Sequence, residues 1–273
     1  MEFANKVRQG LLAAVFVLVV MVGVQLFCDL PVLAEPAEIV LPGLSGQPLL
    51  EQLAAQFAPQ QLLSYNAARD LMFSQIDFGP FEDGRQGIEC FYSGYQTTLP
   101  AGSDPSLEAD RKGINAEHLW PQSKGAKAVK SDLHNLYPVR MSVNSTRSNY
   151  PFAEIPDRET IHWFRKSRER KTVPRGTRIG EYSEFASGRF EPRDSKKGDV
   201  ARVLFYFRTL YPDLADAAFF DPQRTMLCRW AAADPIDATE VRRSHAIAAS
   251  PQGNENPFVL DATLPERTYC ADQ

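Results

Sequence analysis

The sequence predicts an α+β fold in a single, mostly helical domain. Three observations carry this. Apolar residues recur at helical spacing in several segments, and two shorter stretches concentrate the aromatic and β-branched residues typical of strands. Between Pro48 and Asp261 nothing has the composition of a linker. With 273 residues, 44% hydrophobic and 11% aromatic, the chain can bury a full core, which excludes global disorder.

The elements follow in order. Met1–Gly10 carries Lys6 and Arg8, Leu11–Phe27 is apolar apart from Gln25, and Val32, Leu33 and Ala34 precede Glu35. Basic flank, apolar stretch and small residue predict an export signal cleaved after Ala34. An uncleaved N-terminal membrane anchor is the alternative, because the run is at the short edge of what spans a bilayer. A lipid on Cys28 is disfavoured by the bulky Phe27 before it. Glu35–Gln47, rich in Pro and Gly, reads as a tether. Pro48–Ile76 has apolar residues at helical spacing, giving two helices split near Pro59. Gly87–Thr98 and Gly113–His118 read as strands, and Ser131–Pro138 as irregular chain. Val139–Ser148 predicts a short helix stopped by Pro151. Arg158–Lys171 is mixed, anchored by Ile161, Trp163 and Phe164, with a basic surface loop at its end. Asp199–Leu210 is a strong helix halted by Pro212, and Asp237–Ala249 is a further helix with Asp237 as its cap.

Cleavage after Ala34 leaves Cys90, Cys228 and Cys270. In an exported chain, one bridge plus one free thiol is the simple expectation, and Cys228–Cys270 would pin the C-terminal tail. Three pairings are open, as are three buried thiols. No CxxC or Cys/His spacing points to zinc. The formal net charge of −4 hides an asymmetry. From Arg111 to Arg208 there are 21 Lys/Arg against 11 Asp/Glu, and the remainder carries 9 against 23. Such a basic segment suits a polyanion, although charge runs are usually solvated faces.

Inside that segment stand Glu117 and His118, followed by Asn144. A carboxylate, an imidazole and a neutral amide oxygen are the parts of a phosphodiester-cleaving site built on one Mg²⁺. His118, ordinarily titrating near 6.5, suits a general base. Glu117 and Asn144 suit the ion, leaving it a net positive charge and open positions for a phosphodiester. Adjacent strand residues face opposite ways, so Glu117 and His118 must lie where a strand ends or twists. Arg147, three residues after Asn144, shares its helical face and is expected to steady a phosphate or to brace a loop. Asp132, His134 and Asn135 are expected behind the metal ligands or closing the loop. A zinc pair of His118 and His134 lacks a recognised spacing. His162 and His245 read as structural.

The stretches "NAEHLWPQS", "SDLHNLYPVRMSVNSTRSNYPF", "FEPRDSKKGDVARVLFYF" and "QGNENPFVLD" resemble the endonuclease I family of secreted bacterial nucleases, within the His-Me (ββα-metal) finger superfamily. The likeness runs from about Tyr65 to Asp261. It implies a ββα-metal finger core and a sequence-nonspecific nuclease of DNA, and often RNA. It further implies one Mg²⁺, or Mn²⁺ or Ca²⁺, on Glu117 and Asn144, with His118 as base. The organisation expected is then signal or anchor 1–34, tether and helix 35–63, catalytic domain 64–261 and tail 262–273. The protein is expected to be monomeric, secreted or periplasmic, without a membrane partner beyond a possible anchor. Some relatives carry a cysteine-rich insertion that supplies a phosphate-binding arginine. This chain lacks it, so Arg147, Lys124 and Lys127 are the substitutes, with Glu191 a further residue behind the site. A non-catalytic nucleic-acid binder and a small-molecule phosphodiesterase are the rival readings.

Overall fold

Residues 39–176 and 178–271 are described by the computed structural model. The expected export signal or anchor over 1–34 lies outside them, as does the start of the expected tether. Among the described residues no helix is long and apolar enough to cross a membrane.

Helices α1 (Gly46–Gln56) and α2 (Tyr65–Leu71) are the expected pair around Pro59, and α2 continues through a π turn to Ile76. Strands β1 (Phe78–Pro80), β2 (Gln86–Glu89) and β3 (Gln96–Thr97) form an antiparallel sheet. The one strand expected over Gly87–Thr98 is therefore a hairpin. Gly94, at φ +64°, turns it, and its N–H donates to the Cys90 carbonyl. Helix α3 (Pro105–Arg111), capped by Asp104, leads into β4 (Ile114–His118).

Strand β4 pairs antiparallel with β5 (Leu136–Arg140), and α4 (Met141–Arg147) follows at once. Ser131–Pro138, expected to be irregular, thus ends in a strand. Pro138 is tolerated there because its carbonyl faces Phe91, whose N–H donates to it at 2.8 Å, on the edge away from β4. The missing proline N–H is one that the β4 ladder does not use.

A second antiparallel sheet holds β6 (His162–Arg165), β7 (Arg168–Arg170), β8 (Ser183–Ala186) and β9 (Arg189–Glu191), in the order β7-β6-β8-β9. The segment read as mixed chain with a basic loop is its edge hairpin. Beyond it come α5 (Lys197–Leu210), α6 (Ala217–Phe220), α7 (Arg224–Ala233), α8 (Ala238–Ala248) and α9 (Pro257–Leu260). Asp237 and Glu240 close a reciprocal capping box on α8.

Helix α5 is buried without interruption from Gly198 to Phe207, the mark of a central helix. One apolar cluster surrounds it, including Trp120, Phe190, Phe220 and Leu227. A second cluster joins Met72, Phe73, Ile88, Ile114, Leu136 and Ile247. The β4–β5 ribbon lies between the two: Tyr137 and Val139 belong to the first, Ile114, Ala116 and Leu136 to the second.

The chain from Val40 to Leu44 packs on the C-terminal end. Arg267 donates to the carbonyls of Val40, Leu41 and Leu44, and the Val40 N–H donates to Asp261. The expected tether, from Ile39 on, and the expected tail are thus parts of one folded unit. Cys228 on α7 is bridged to Cys270 in the terminal π turn, a sequence separation of 42, and Cys90 is free and buried. Opening that loop frees the unfolded chain. Replacing both bridged cysteines by serine is therefore expected to cost roughly 2–4 kcal/mol of stability. Urea unfolding measures this, and an unchanged midpoint would contradict it.

Candidate active site

Register decides which side chains share a face of the β4–β5 ribbon. Asn115 lies opposite Val139 and Glu117 opposite Tyr137, so these four point one way. Ile114, Ala116 and His118, with Leu136 and Pro138, point the other way. Helix α4 meets the ribbon on the Asn115–Glu117 side. Its Asn144 reaches Asn115, and its Arg147, one turn on, reaches Glu117.

Glu117 is 3% exposed. Its Oε1 accepts the Tyr92 hydroxyl at 3.0 Å and lies 3.2 Å from Arg147 Nε. That Nε–H is misaligned for a hydrogen bond and has no other partner, so the contact is an ion pair. The rest of the guanidinium is anchored: Nη2 donates to Leu119 O at 2.7 Å, Nη1 donates to Ser148 O at 2.8 Å, and its plane lies over Phe152. Burial pushes the Glu117 carboxyl up to about 7, with Arg147 and Tyr92 pulling it back. No side chain among the described residues bonds to its Oε2. Asn144 Nδ2 donates to Asn115 Oδ1 at 2.9 Å and to the Ala116 carbonyl at 3.4 Å. A backbone carbonyl only accepts, so the amide nitrogen is fixed on that side and Oδ1 is left as an acceptor.

His118 is the last residue of β4, where the ribbon ends. Its Nε2–H donates to the Lys130 carbonyl at 2.8 Å, which places the proton on Nε2 and the lone pair on Nδ1. Gln122 Nε2 lies 3.4 Å from Nδ1, and Tyr65 stacks on the ring. Burial lowers the imidazole to about 4, reinforced by the charges of Arg147 and Lys130 and opposed by the Lys130 carbonyl. The ring is therefore neutral at neutral pH. Arg147 acts on both Glu117 and His118, and Glu117 on the Tyr65 stacked over His118, so the groups form one electrostatic cluster.

The loop between the strands is built for rigidity. Asn135 clamps Trp120 at both its N–H and its carbonyl, and the Trp120 indole donates to Lys124 O. Gly125 holds φ +119°, and a Cβ there would sit 1.9 Å from the Leu214 carbonyl oxygen. Asp132 accepts from Tyr206, Tyr211, Gln252 and the His134 N–H. His134 bonds to the Asn254 carbonyl. Asp132, His134 and Asn135 thus close the loop that carries Lys130, and among the described residues none of their side chains hydrogen-bonds to the side chains of Glu117, His118 or Asn144.

The structure places the other expected residues as follows. Arg147 is fully buried beneath Glu117 and makes no surface for a phosphate, so it braces the carboxylate. Lys124 is drawn to Asp216 at 3.4 Å, tying the loop to α6, while Lys127 is exposed and unpaired among the described residues. Glu191 sits on β9, where it accepts from the Ile155 N–H and pairs with Lys197 at 2.7 Å, apart from the β4–β5–α4 unit. The sequence reading also missed residues. Asn115 had a signal, since it precedes Glu117 by two and so shares its strand face. Tyr65, Tyr92, Gln122 and Lys130 had none, because only tertiary contact brings them in.

Among the described residues no three His, Cys, Asp or Glu side chains converge into a metal cage. The oxygens available are Glu117 Oε2 and Asn144 Oδ1, and this donor set suits a hard cation that keeps positions for water and a phosphate. A groove of about 870 Å³ lies elsewhere, lined by Phe91, Tyr137, Arg165, Arg193 and Arg243. A polymer is met on an open face, so an enclosed cavity at Glu117 is not required.

The strand–strand–helix unit thus carries an imidazole at the end of β4, with a buried carboxylate and an amide oxygen on the other face of the ribbon. The chain matches the Endonuclease I family over residues 45–263, and it belongs to that family. Similar proteins include an extracellular ribonuclease of Bacillus amyloliquefaciens, 33% identical over 162 residues, 53% of this chain and 50% of that protein. Endonuclease-1 of Buchnera aphidicola subsp. Acyrthosiphon pisum is 26% identical over 138 residues, 50% of this chain and 48% of that protein. An extracellular deoxyribonuclease of Aeromonas hydrophila is 28% identical over 138 residues, 48% of this chain and 50% of that protein. The chain spans about half the length of these curated relatives.

The His134 imidazole has a pH signature. Burial lowers it from 6.5 to about 4, with Asp132 and the Asn254 carbonyl opposing. Below pH 6.5 the unfolded chain binds a proton that the folded one refuses. Its stabilising contribution is thus complete above 6.5 and lost as pH falls toward about 4. In urea unfolding across that window, His134→Gln should lose stability less steeply than the unchanged protein. Equal slopes would contradict the assignment.

Proposed function

We propose that the chain is an exported, monomeric endonuclease that hydrolyses DNA and RNA phosphodiesters without reading sequence. On this reading β4, β5 and α4 are a ββα-metal (His-Me) finger, one Mg²⁺ or similar ion sits on Glu117 and Asn144, and His118 is the general base. One observation carries it: the Lys130 carbonyl fixes the proton of His118 on Nε2, leaving a neutral ring with its lone pair on Nδ1. A lone pair presented in this way can accept a proton from water. When bound, the ion supplies positive charge against the charge that builds on the phosphoryl oxygens.

The chain's own residues do the rest. Arg147 and Tyr92 hold Oε1 of Glu117 and so orient Oε2. Asn115 and the Ala116 carbonyl hold the Asn144 amide nitrogen and so leave its oxygen free to accept. Tyr65 and Gln122 restrain the imidazole. Lys127 and Lys130, both exposed on the loop, are the nearby cations for substrate phosphates. The relatives' names support either polymer as substrate, since one is a ribonuclease and another a deoxyribonuclease. Names such as extracellular and periplasmic support export.

Residues 35–273, incubated with plasmid DNA and with RNA, are expected to cleave both with Mg²⁺ and neither with EDTA. His118→Ala should slow cleavage by roughly a hundredfold to ten-thousandfold while the fold is retained. Cleavage at the unchanged rate by folded His118→Ala would overturn the assignment of the base.

A further inference from the structure

The segment from Arg165 to Arg178 holds seven Lys/Arg and a single acidic residue, Glu169. Most cations elsewhere on this fold are neutralised by a neighbour: Arg193 by Glu89, Lys196 by Asp199, Arg243 by Asp77. Here they are not. Lys166, Arg168, Arg170, Lys171 and Arg175 are all exposed, and none makes an ion pair or side-chain hydrogen bond with the described residues. Glu169 is occupied by His162 at 2.6 Å.

Their arrangement is costly for the protein alone. Arg165 and Arg168 are directly opposed across the β6–β7 hairpin, and like charges in that position repel. Glu181 offsets only Arg165 and the neighbouring Arg178. Arg168 and Arg170 alternate on the strand, so with Arg165 they project from one face of the hairpin. Strand β7 is the sheet edge, exposed at all three residues. Its rise of roughly 3.3 Å per residue is commensurate with the roughly 3.4 Å axial rise per nucleotide, so alternate arginines can follow a row of phosphates.

The hairpin is also hydrogen-bonded to chain next to the candidate site. Lys166 N–H donates to Ser93 O at 2.5 Å, one residue from Tyr92, whose hydroxyl holds Glu117. Arg140 Nη1 donates to Lys166 O at 3.3 Å, and Arg140 ends β5 where α4 begins. Arg165 and Lys166 line the large groove, which also reaches Tyr137 opposite Glu117.

From these observations we infer that the β6–β7 hairpin is a second nucleic-acid contact, an exosite that grips the sugar-phosphate backbone away from the point of cleavage. It rests on the nuclease reading for the identity of the polymer, and charge complementarity selects a polyanion. The contact reads no bases, since its donors are long cations on an exposed edge. Its role is to raise the affinity for long substrates and leave turnover of short ones to the finger.

The test is a triple variant, Arg168→Ser, Arg170→Ser and Lys171→Ser, confined to exposed side chains and checked by its thermal unfolding. Binding of a labelled mixed-sequence DNA of ~20 nucleotides is followed by anisotropy in EDTA, so that it does not depend on cleavage. The expected result is about tenfold weaker affinity or more, and a salt slope shallower by roughly 2 for three lost phosphate contacts. The matching Arg→Lys variant of Arg168 and Arg170 should restore binding, because backbone contact needs charge and not a fork. Turnover of a dinucleotide with Mg²⁺ should be unchanged in the triple variant. Unchanged DNA affinity and slope would overturn the exosite. So would a loss seen only on phosphatidylglycerol vesicles, which would make the hairpin a membrane contact. Hairpin-dependent binding by a protein that cleaves neither DNA nor RNA would sink the nuclease reading and leave the exosite standing.

Discussion

The buried contact between Glu117 and Arg147 is the constraint on which the rest depends. It joins the last turn of a seven-residue helix to the strand beneath it, with the carboxylate 3% exposed and the guanidinium fully buried. A lone carboxylate at that depth would be driven neutral, and a lone guanidinium would be worse placed still. Removing one partner of such a pair typically costs about 3–5 kcal/mol, because the other is left charged and dry. Arg147 also ties down the carbonyls of Leu119 and Ser148, so one side chain fixes the exit of β4, the end of α4 and the oxygen proposed for the ion.

Around this pair the fold separates two tasks. The Asn115–Glu117 face of β4 meets α4 and supplies oxygens, and the opposite face ends in His118 and meets Tyr65 and Lys130. The imidazole is set by a loop, and the loop is set by Asp132, whose carboxylate gathers two tyrosines of the α5 region and the Gln252 amide. The C-terminal motif around Asn254 thereby reaches the site through the loop. It holds His134 and Tyr206, and they hold the loop.

Much of the site was legible because its chemistry is local. Glu117 and His118 are adjacent, and Asn144 lies on a helix announced by its neighbours. Helices α5 and α8 were legible through long apolar periods and a capping aspartate. The four-stranded sheet was not, since its strands are three or four residues long and β7 is Arg-Glu-Arg with no buried face. Strand β5 was hidden by Pro138, whose harmlessness depends on which edge its carbonyl serves. Arg147 shares a helical face with Asn144, as its spacing says, yet spacing does not tell that this face is covered by a ribbon. Glu191 lies in a motif shared with the family, and only the fold shows that its partners are Ile155 and Lys197.

On the proposed reading Glu117 and Asn144 hold one divalent ion while His118 stands free of it. Titration of Mn²⁺ into the protein, followed by the loss of the free-ion electron paramagnetic resonance signal, tests this without any substrate. One ion per chain is predicted, abolished in Glu117→Gln and retained in His118→Ala. Binding that survives Glu117→Gln, or vanishes in a folded His118→Ala, would contradict the division of labour between the two neighbours.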